Sequence, residues 1–152
     1  MPNPNRDKGL QAERDVVRYL KSLGAPAEVR RSAETGSKDQ ADRGDIRYLP
    51  GVVIQVKNTP SHTMVDGYLA ACLAETEAQR QAAGARVGVL VERRRGKANP
   101  AEWWAWLPLE HAWALHTWDQ VGEPSGPTVR MPFGAIAPDL LAFSRSLANP
   151  YL

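Results

Sequence analysis

Two periodicities alternate along this chain. From residue 7 to 23 apolar side chains return at helical spacing, Leu10, Val17 and Leu20 with Leu23 less regular, and Gly24 follows as a stop. That pattern predicts a helix. Residues 27 to 33 (AEVRRSA) predict a short strand, and the polar ETGSKDQADRG after them predicts a loop. The stretch GDIRYLPGVVIQVKN predicts two strands, 45 to 49 and 52 to 57, turning at Pro50-Gly51. Residues 63 to 83 are rich in alanine and other helix formers and end at Gly84, so a long helix follows. RVGVLVE, 86 to 92, predicts the next strand, and WWAWLPLE another, with Trp104 and Trp106 on one face. EHAWALHTW adds a helical turn or two, residues 128 to 133 a last short strand, and 138 to 147 a last helix. The order α-β-β-β-α-β-β and then a tail predicts an α/β sandwich, one mixed central sheet flanked by helices.

Two positions break the pattern. In GVVIQVKN, Val53, Gln55 and Lys57 share one face of the strand and Val52, Ile54 and Val56 the other, so an amide and an ammonium stand where a valine run would pack. Glu13, three after Leu10 and four before Val17, falls on the apolar stripe of the first helix. A carboxylate there needs a partner, either a neighbouring arginine such as Arg14 or Arg18, or a metal. Register decides whether Asp45 joins Gln55 and Lys57. A strict two-residue turn places Asp45 opposite Val56, whereas one extra residue places it opposite Lys57 and beside Gln55. An odd-length connection is therefore expected.

Bulk properties narrow the class. A chain of 152 residues is one domain's worth, with 43% hydrophobic and 24% charged residues and no internal repeat. The apolar runs are too short to span a bilayer, and MPNPNRDKG lacks the apolar core of a secretory signal. Cys72 is the single cysteine, which excludes an intramolecular disulfide and makes the cytoplasm the expected compartment. Net charge is +2, but the basic residues cluster as Arg30-Arg31 and Arg93-Arg94-Arg95 with Lys97, suited to a phosphate backbone.

Acidic groups converging near a lysine are what metal-dependent phosphodiester cleavage uses, with Mg²⁺ or Mn²⁺ held by oxygen ligands. Asp45, nine intervening residues, then Gln55-Val56-Lys57 resembles the PD-(D/E)XK nuclease signature, with glutamine in place of the second acid. Within it, KGLQAERDVVRYLKSLG followed by VRRSAETGS, GDI and VVIQVKN resembles archaeal-type Holliday junction resolvases and their phage-borne relatives. The resemblance covers about residues 7 to 92. It implies a restriction-endonuclease-like core (α-β-β-β-α-β) within a single nuclease domain; residues 103 to 152, outside it, are expected to complete the fold and to offer a dimer surface.

The resemblance also implies roles. Asp45 is the principal metal ligand, Gln55 offers its amide oxygen and Val56 its main-chain carbonyl, and Glu13 binds directly or through water. Lys57 acts on the attacking water or the transition state. Arg14, Arg30 or Arg31, and Lys38 hold phosphates; Ser32, Thr35 and Ser37 are alternatives for a hydroxyl reaching the scissile phosphate. Outside the resemblance, the charge of the loop from Arg93, Arg94 and Arg95 to Lys97 makes it a candidate hairpin tip for a second DNA arm. The implied activity is Mg²⁺-dependent resolution of four-way junctions by a twofold dimer in a bacterial, archaeal or phage-infected cell. Another nuclease of the same fold, exonuclease or restriction-type, and a silent DNA-binding module are the alternatives. Against a RecB-like subgroup, no tyrosine follows Gln79 and Gln81 in its motif position.

Elsewhere the bland assignments lead. His111 and His116 are five apart, which does not stack them on one helical face, and with His62 they are expected to be structural. Cys72 is expected to be packed. Five tryptophans between 103 and 118 suit a core layer or dimer surface, with stacking on exposed bases as the alternative.

Overall fold

In a computed structural model residues 4 to 31, 45 to 58 and 66 to 148 are described. Helix α1 (Pro4–Ser22) starts earlier than its apolar period predicts, and its buried stripe is Ala12, Val16 and Leu20, spaced by four, with Val17 at its side. Gly24 ends it: Ala25 N–H bonds the Leu20 carbonyl and Gly24 N–H that of Lys21, with Gly24 at φ 98°, a Schellman cap. The centre of the stripe lies one residue from where Leu10 and Val17 put it. Glu13 accordingly sits at the stripe's edge, half-buried.

Strands β1 (Arg30–Arg31) and β2 (Ile46–Arg47) pair antiparallel as a two-stranded ladder. The second sheet has the order β3-β4-β5-β6, from β3 (Val52–Lys57), β4 (Val87–Glu92), β5 (Trp104–Pro108) and β6 (Thr128–Pro132). Helix α2 (Asp66–Ala83) links β3 to its parallel neighbour β4, and the two other pairings are antiparallel. The molecule is thus a mixed α/β structure whose four-stranded mixed sheet is flanked by helices. The expectation of one sheet is corrected among the described residues: β2 and β3 form no continuous ladder.

The tail departs furthest from its prediction. Helix α3 (Leu109–Thr117) exceeds two turns, and α4 (Phe133–Ala148) begins five residues before Pro138, which lies inside it. Phe133, Ile136, Ala137, Leu140 and Leu141 form a buried stripe, and their burial outweighs the hydrogen bond that Pro138 cannot donate. Gly134 stands four residues before the proline and packs against Ala101, where a Cβ would crowd its side chain and carbonyl.

One face of the four-stranded sheet is dry. Val52, Ile54, Val56, Val87, Val89, Val91, Ala105 and Leu107 join Val16 and Leu20 of α1, Leu115 of α3, and Phe133 and Leu140 of α4 in a single buried cluster. Trp103, fully buried, belongs to it too. The opposite face carries Val53, Gln55, Lys57, Leu90, Glu92, Trp104, Trp106 and Arg130, and α2 covers its β3–β4 half. Gly88 makes that cover close, since a Cβ there would meet the Thr76 side chain.

Candidate functional site

Asp45 meets β3 at its β2-facing edge. The Asp45 N–H donates to the Ile54 carbonyl (3.0 Å), and the Val56 N–H donates back to Asp45 Oδ2 at 2.7 Å. Along β3 the Gly51 and Lys57 carbonyls accept from Val87 and Arg93, on the β4 side. By alternation the Ile54 and Val56 carbonyls face Asp45. The carboxylate therefore lies against the strand's main chain, with the Val56 carbonyl on the same edge.

This register differs from the expected one. The Leu49 carbonyl accepts from Val52 N–H (3.1 Å), closing a tight turn around Pro50-Gly51. Tyr48, before it, takes the left-handed conformation at φ 70° and kinks the chain. The connection runs from 48 to 51, an even length rather than an odd one. Asp45 consequently pairs with Ile54, not Lys57, and reaches the site along the edge of β3 instead of across its face.

Lys57 and Gln55 point toward α2, as the alternation predicts. Lys57 Nζ lies 3.5 Å from Glu75 Oε2. Gln55 is 1% exposed, and its amide oxygen accepts from the Thr76 hydroxyl, which also reaches the Cys72 carbonyl at 2.9 Å. With one proton to give, the hydroxyl serves one acceptor at a time. Glu75 and Thr76 escaped the sequence reading, because a carboxylate and a hydroxyl on a helix of weak amphipathicity carry no distinguishing pattern. Their only signal is helical spacing from Cys72, which puts Cys72, Thr76, Gln79 and Arg80 on the buried side of α2.

The electrostatics follow from burial. Desolvation raises Asp45 to about 6; the Val56 N–H and the Lys57 charge pull it down only in part, and Glu75 adds to the rise. For Lys57 burial favours the neutral amine, but the negative charge of Glu75, with Asp45 adding to it, outweighs it and the pKa ends above its ordinary value. Lys57 is thus an ammonium at neutral pH.

The Glu13 carboxylate is 3.7 Å from Arg31 Nη1, and the acid whose charge raises the Asp45 pKa is Glu75. Its partner is neither Arg14, which is exposed, nor Arg18, which pairs with Asp15 at 3.9 Å. Of the two candidate phosphate arginines, Arg31 is buried against Glu13 and Arg30 is exposed. Ser32, Thr35, Ser37, Lys38 and His62 lie outside the described residues. Arg93 and Arg94 are half-buried and Arg95 exposed at the end of β4. His111 is buried, with Nε2 2.9 Å from the Gly122 carbonyl, and His116 lies 3.2 Å from Asp139, both structural positions. Cys72 is buried, as expected.

Among the described residues no three histidine, cysteine, aspartate or glutamate side chains gather as a metal-binding group, and no helix is long and apolar enough to cross a membrane. A hard divalent cation nevertheless fits the edge of β3. A carboxylate whose desolvation is incompletely offset and a main-chain carbonyl lie on the same edge of the strand, donors of the sort Mg²⁺ completes with water and phosphate oxygens. Comparison with protein-family models, with curated proteins and with solved structures gave no match.

Proposed function

We propose that the chain is a metal-dependent DNA endonuclease of the PD-(D/E)XK type that cuts four-way junctions. The observation carrying this reading is the partly buried Asp45, held on the Val56 amide, with the Lys57 ammonium as an electrostatic neighbour at the same end of β3. The order α1-β1-β2-β3-α2-β4 is compatible with the restriction-endonuclease-like core that the resemblance implies. When bound to Asp45 and the Val56 carbonyl, Mg²⁺ or Mn²⁺ would supply Lewis acidity toward water and the scissile phosphate. Asp45 positions and orients; its backbone hydrogen bond fixes the carboxylate before substrate arrives. Lys57, kept protonated by Glu75, stabilises the charge that builds on the phosphate and does not act as the base. Gln55 holds α2 to the sheet through Thr76.

A second reading, a silent DNA-binding module, draws on two of those same placements. Gln55 faces Thr76 and Glu13 faces Arg31, partners that each side chain has without a metal. Cleavage of end-labelled four-way junction, linear duplex and single strand in Mg²⁺ or Mn²⁺ separates the readings, with Asp45→Asn as control. Paired nicks in the junction alone, lost in the variant by about 100-fold or more, are the result expected of several kcal/mol of lost transition-state stabilisation. Equal cutting of all three substrates keeps the nuclease and discards junction selectivity. Binding without cutting in either metal establishes the silent module.

A further inference from the structure

The polar face of the sheet continues past α2, and its far half carries a second arrangement. In register, Lys57 stands beside Glu92, Glu92 beside Trp104, and Trp104 beside Pro132. The next row is Gln55, Leu90, Trp106 and Arg130. Residues paired in a ladder share a face, so Trp104 lies on the side of the sheet that bears Lys57, two strand spacings or about 10 Å away.

Trp104 is flanked by arginines from both directions of the chain. The guanidinium carbons of Arg94 and Arg130 each stand 4.1 Å from its ring centroid, and Arg130 is also 5.5 Å from that of Trp106. Arg94 Nη1 donates to the Glu102 carbonyl at 2.9 Å, which anchors that side chain through one nitrogen. Stacking holds each guanidinium by its flat face and directs its N–H fork along the plane, where an oxyanion is met edge-on.

These charges are not consumed internally. Among the described residues none of Arg93, Arg94, Arg95 and Arg130 forms a salt bridge, whereas Arg18, Arg31 and Arg80 each do. Of the acids nearby, Glu102 pairs with Lys97 at 3.6 Å, and Glu92, 8% exposed, feels the charge of Arg130 without forming an ion pair with it. The edge is therefore net cationic, with two of its arginines fixed in place before any partner arrives.

We propose that Arg94 and Arg130, stacked on Trp104, form a phosphate clamp for one strand of DNA, about 10 Å from Lys57 on the same face of the sheet. The clamp rests on the nuclease reading for its substrate but not for its existence as a phosphate site. A strand held there runs its neighbouring phosphates toward the end of β3. Arg93, 5.7 Å from the Trp103 ring centroid, and the exposed Arg95 add charge at the rim. Arg130 does not stand out in the sequence as a nucleic-acid contact; only the β5–β6 pairing brings it to the arginines that follow β4.

Binding of a fluorescein-labelled four-way junction, followed by anisotropy in EDTA across a salt series, tests the clamp. The double variant Arg94→Gln/Arg130→Gln should bind about tenfold more weakly or worse, with a log–log salt slope shallower by about two, since each phosphate contact contributes about 0.9. Trp104→Leu keeps both charges and removes the platform, so it should lose several-fold in affinity with the slope unchanged. Parent-like binding by the double variant overturns the clamp, as does a parent chain that binds no junction. A double variant that binds DNA as the parent does but sediments as a smaller species also overturns it, and makes this face an interface between copies. Junction cleavage by the parent and by Asp45→Asn, run in parallel, separates the two ideas. Asp45-dependent cutting with clamp-independent binding sinks only the clamp, and clamp-dependent binding without cutting sinks only the nuclease.

Discussion

The two faces of the four-stranded sheet follow opposite rules. On the α1–α4 side, every strand position is aliphatic or aromatic, and the stripe of α1 meets the stripe of α4 through Tyr19 and Phe133, whose rings lie 5.7 Å apart. On the α2 side the same strands present Gln55, Lys57, Glu92 and Arg130, and α2 answers with Thr76, Gln79 and Arg80. The dry face supplies stability through area removed from water. On the α2 side Val53 and Leu90 are buried as well, but the polar groups among them contribute little net stability, because each hydrogen bond they make replaces one made to water. What they contribute is placement: a carboxylate, an ammonium and stacked guanidinium groups are held where bulk solvent would not hold them.

The largest effect separating the faces should come from Phe133→Ala. Removing a fully buried ring at the start of α4 is expected to cost about 3–5 kcal/mol, measured by urea denaturation with an unchanged slope. A loss under about 1 kcal/mol would mean that the dry face is not the stabilising one.

Asp45→Asn should move in the other direction. Folded Asp45 titrates at about 6 against an ordinary 3.8, so its charged form is the disfavoured one in the fold. The protonated form costs nothing below pH 3.8; the penalty grows as the pH rises to about 6 and is then complete. Asparagine still accepts from the Val56 N–H without the charge. The variant is therefore expected to match the parent below pH 3.8 and to exceed it by up to about 3 kcal/mol at pH 8 in EDTA. Adding Mn²⁺ should raise the melting temperature of the parent and leave the variant unmoved. A variant less stable than the parent at pH 8 would break the desolvation argument.

Glu92→Gln sharpens the same contrast on β4. Burial raises the Glu92 pKa, against the pull of Arg130 and the Trp106 N–H, so its ionised form too is disfavoured in the fold. The variant should equal the parent below pH 4.5 and be the more stable of the two at neutral pH, by thermal denaturation in the same buffers. The smallest effect is expected from Gln55→Leu/Thr76→Val. Replacing both partners of a buried hydrogen bond with apolar groups of like shape should shift stability by less than about 1 kcal/mol, whereas Thr76→Val alone strands the Gln55 amide and costs about 1–3 kcal/mol.

Much of the fold was legible in the pattern of the chain. Strand β3 spans the residues its alternation marks, and Gly24 and Gly84 stop their helices because each takes a positive φ that a Cβ resists. The separation of Gln55 and Lys57 from Ile54 and Val56 was legible too, since side-chain direction in a strand has a period of two. Less of the candidate site could be read. Glu13 fell on the predicted stripe only because Leu10 and Val17 defined it, and Ala12, which is small and unremarkable in sequence, turned out to lie at its centre. The length of α4 was hidden by Pro138, whose local penalty is smaller than the burial of the residues around it.

Period and punctuation are local, so the sequence by itself determined which segments are helix or strand, which residues share a face, and where glycine ends a helix. Register and partnership are not local. That Asp45 bonds Ile54 and Val56 rather than facing Lys57 followed from a two-residue turn and a left-handed Tyr48. That Glu75 reaches Lys57, that Arg31 meets Glu13, and that Arg130 joins Arg94 over Trp104 were decided only when distant segments packed. Such pairs are fixed by the geometry of the whole core, and no spacing along the chain encodes them.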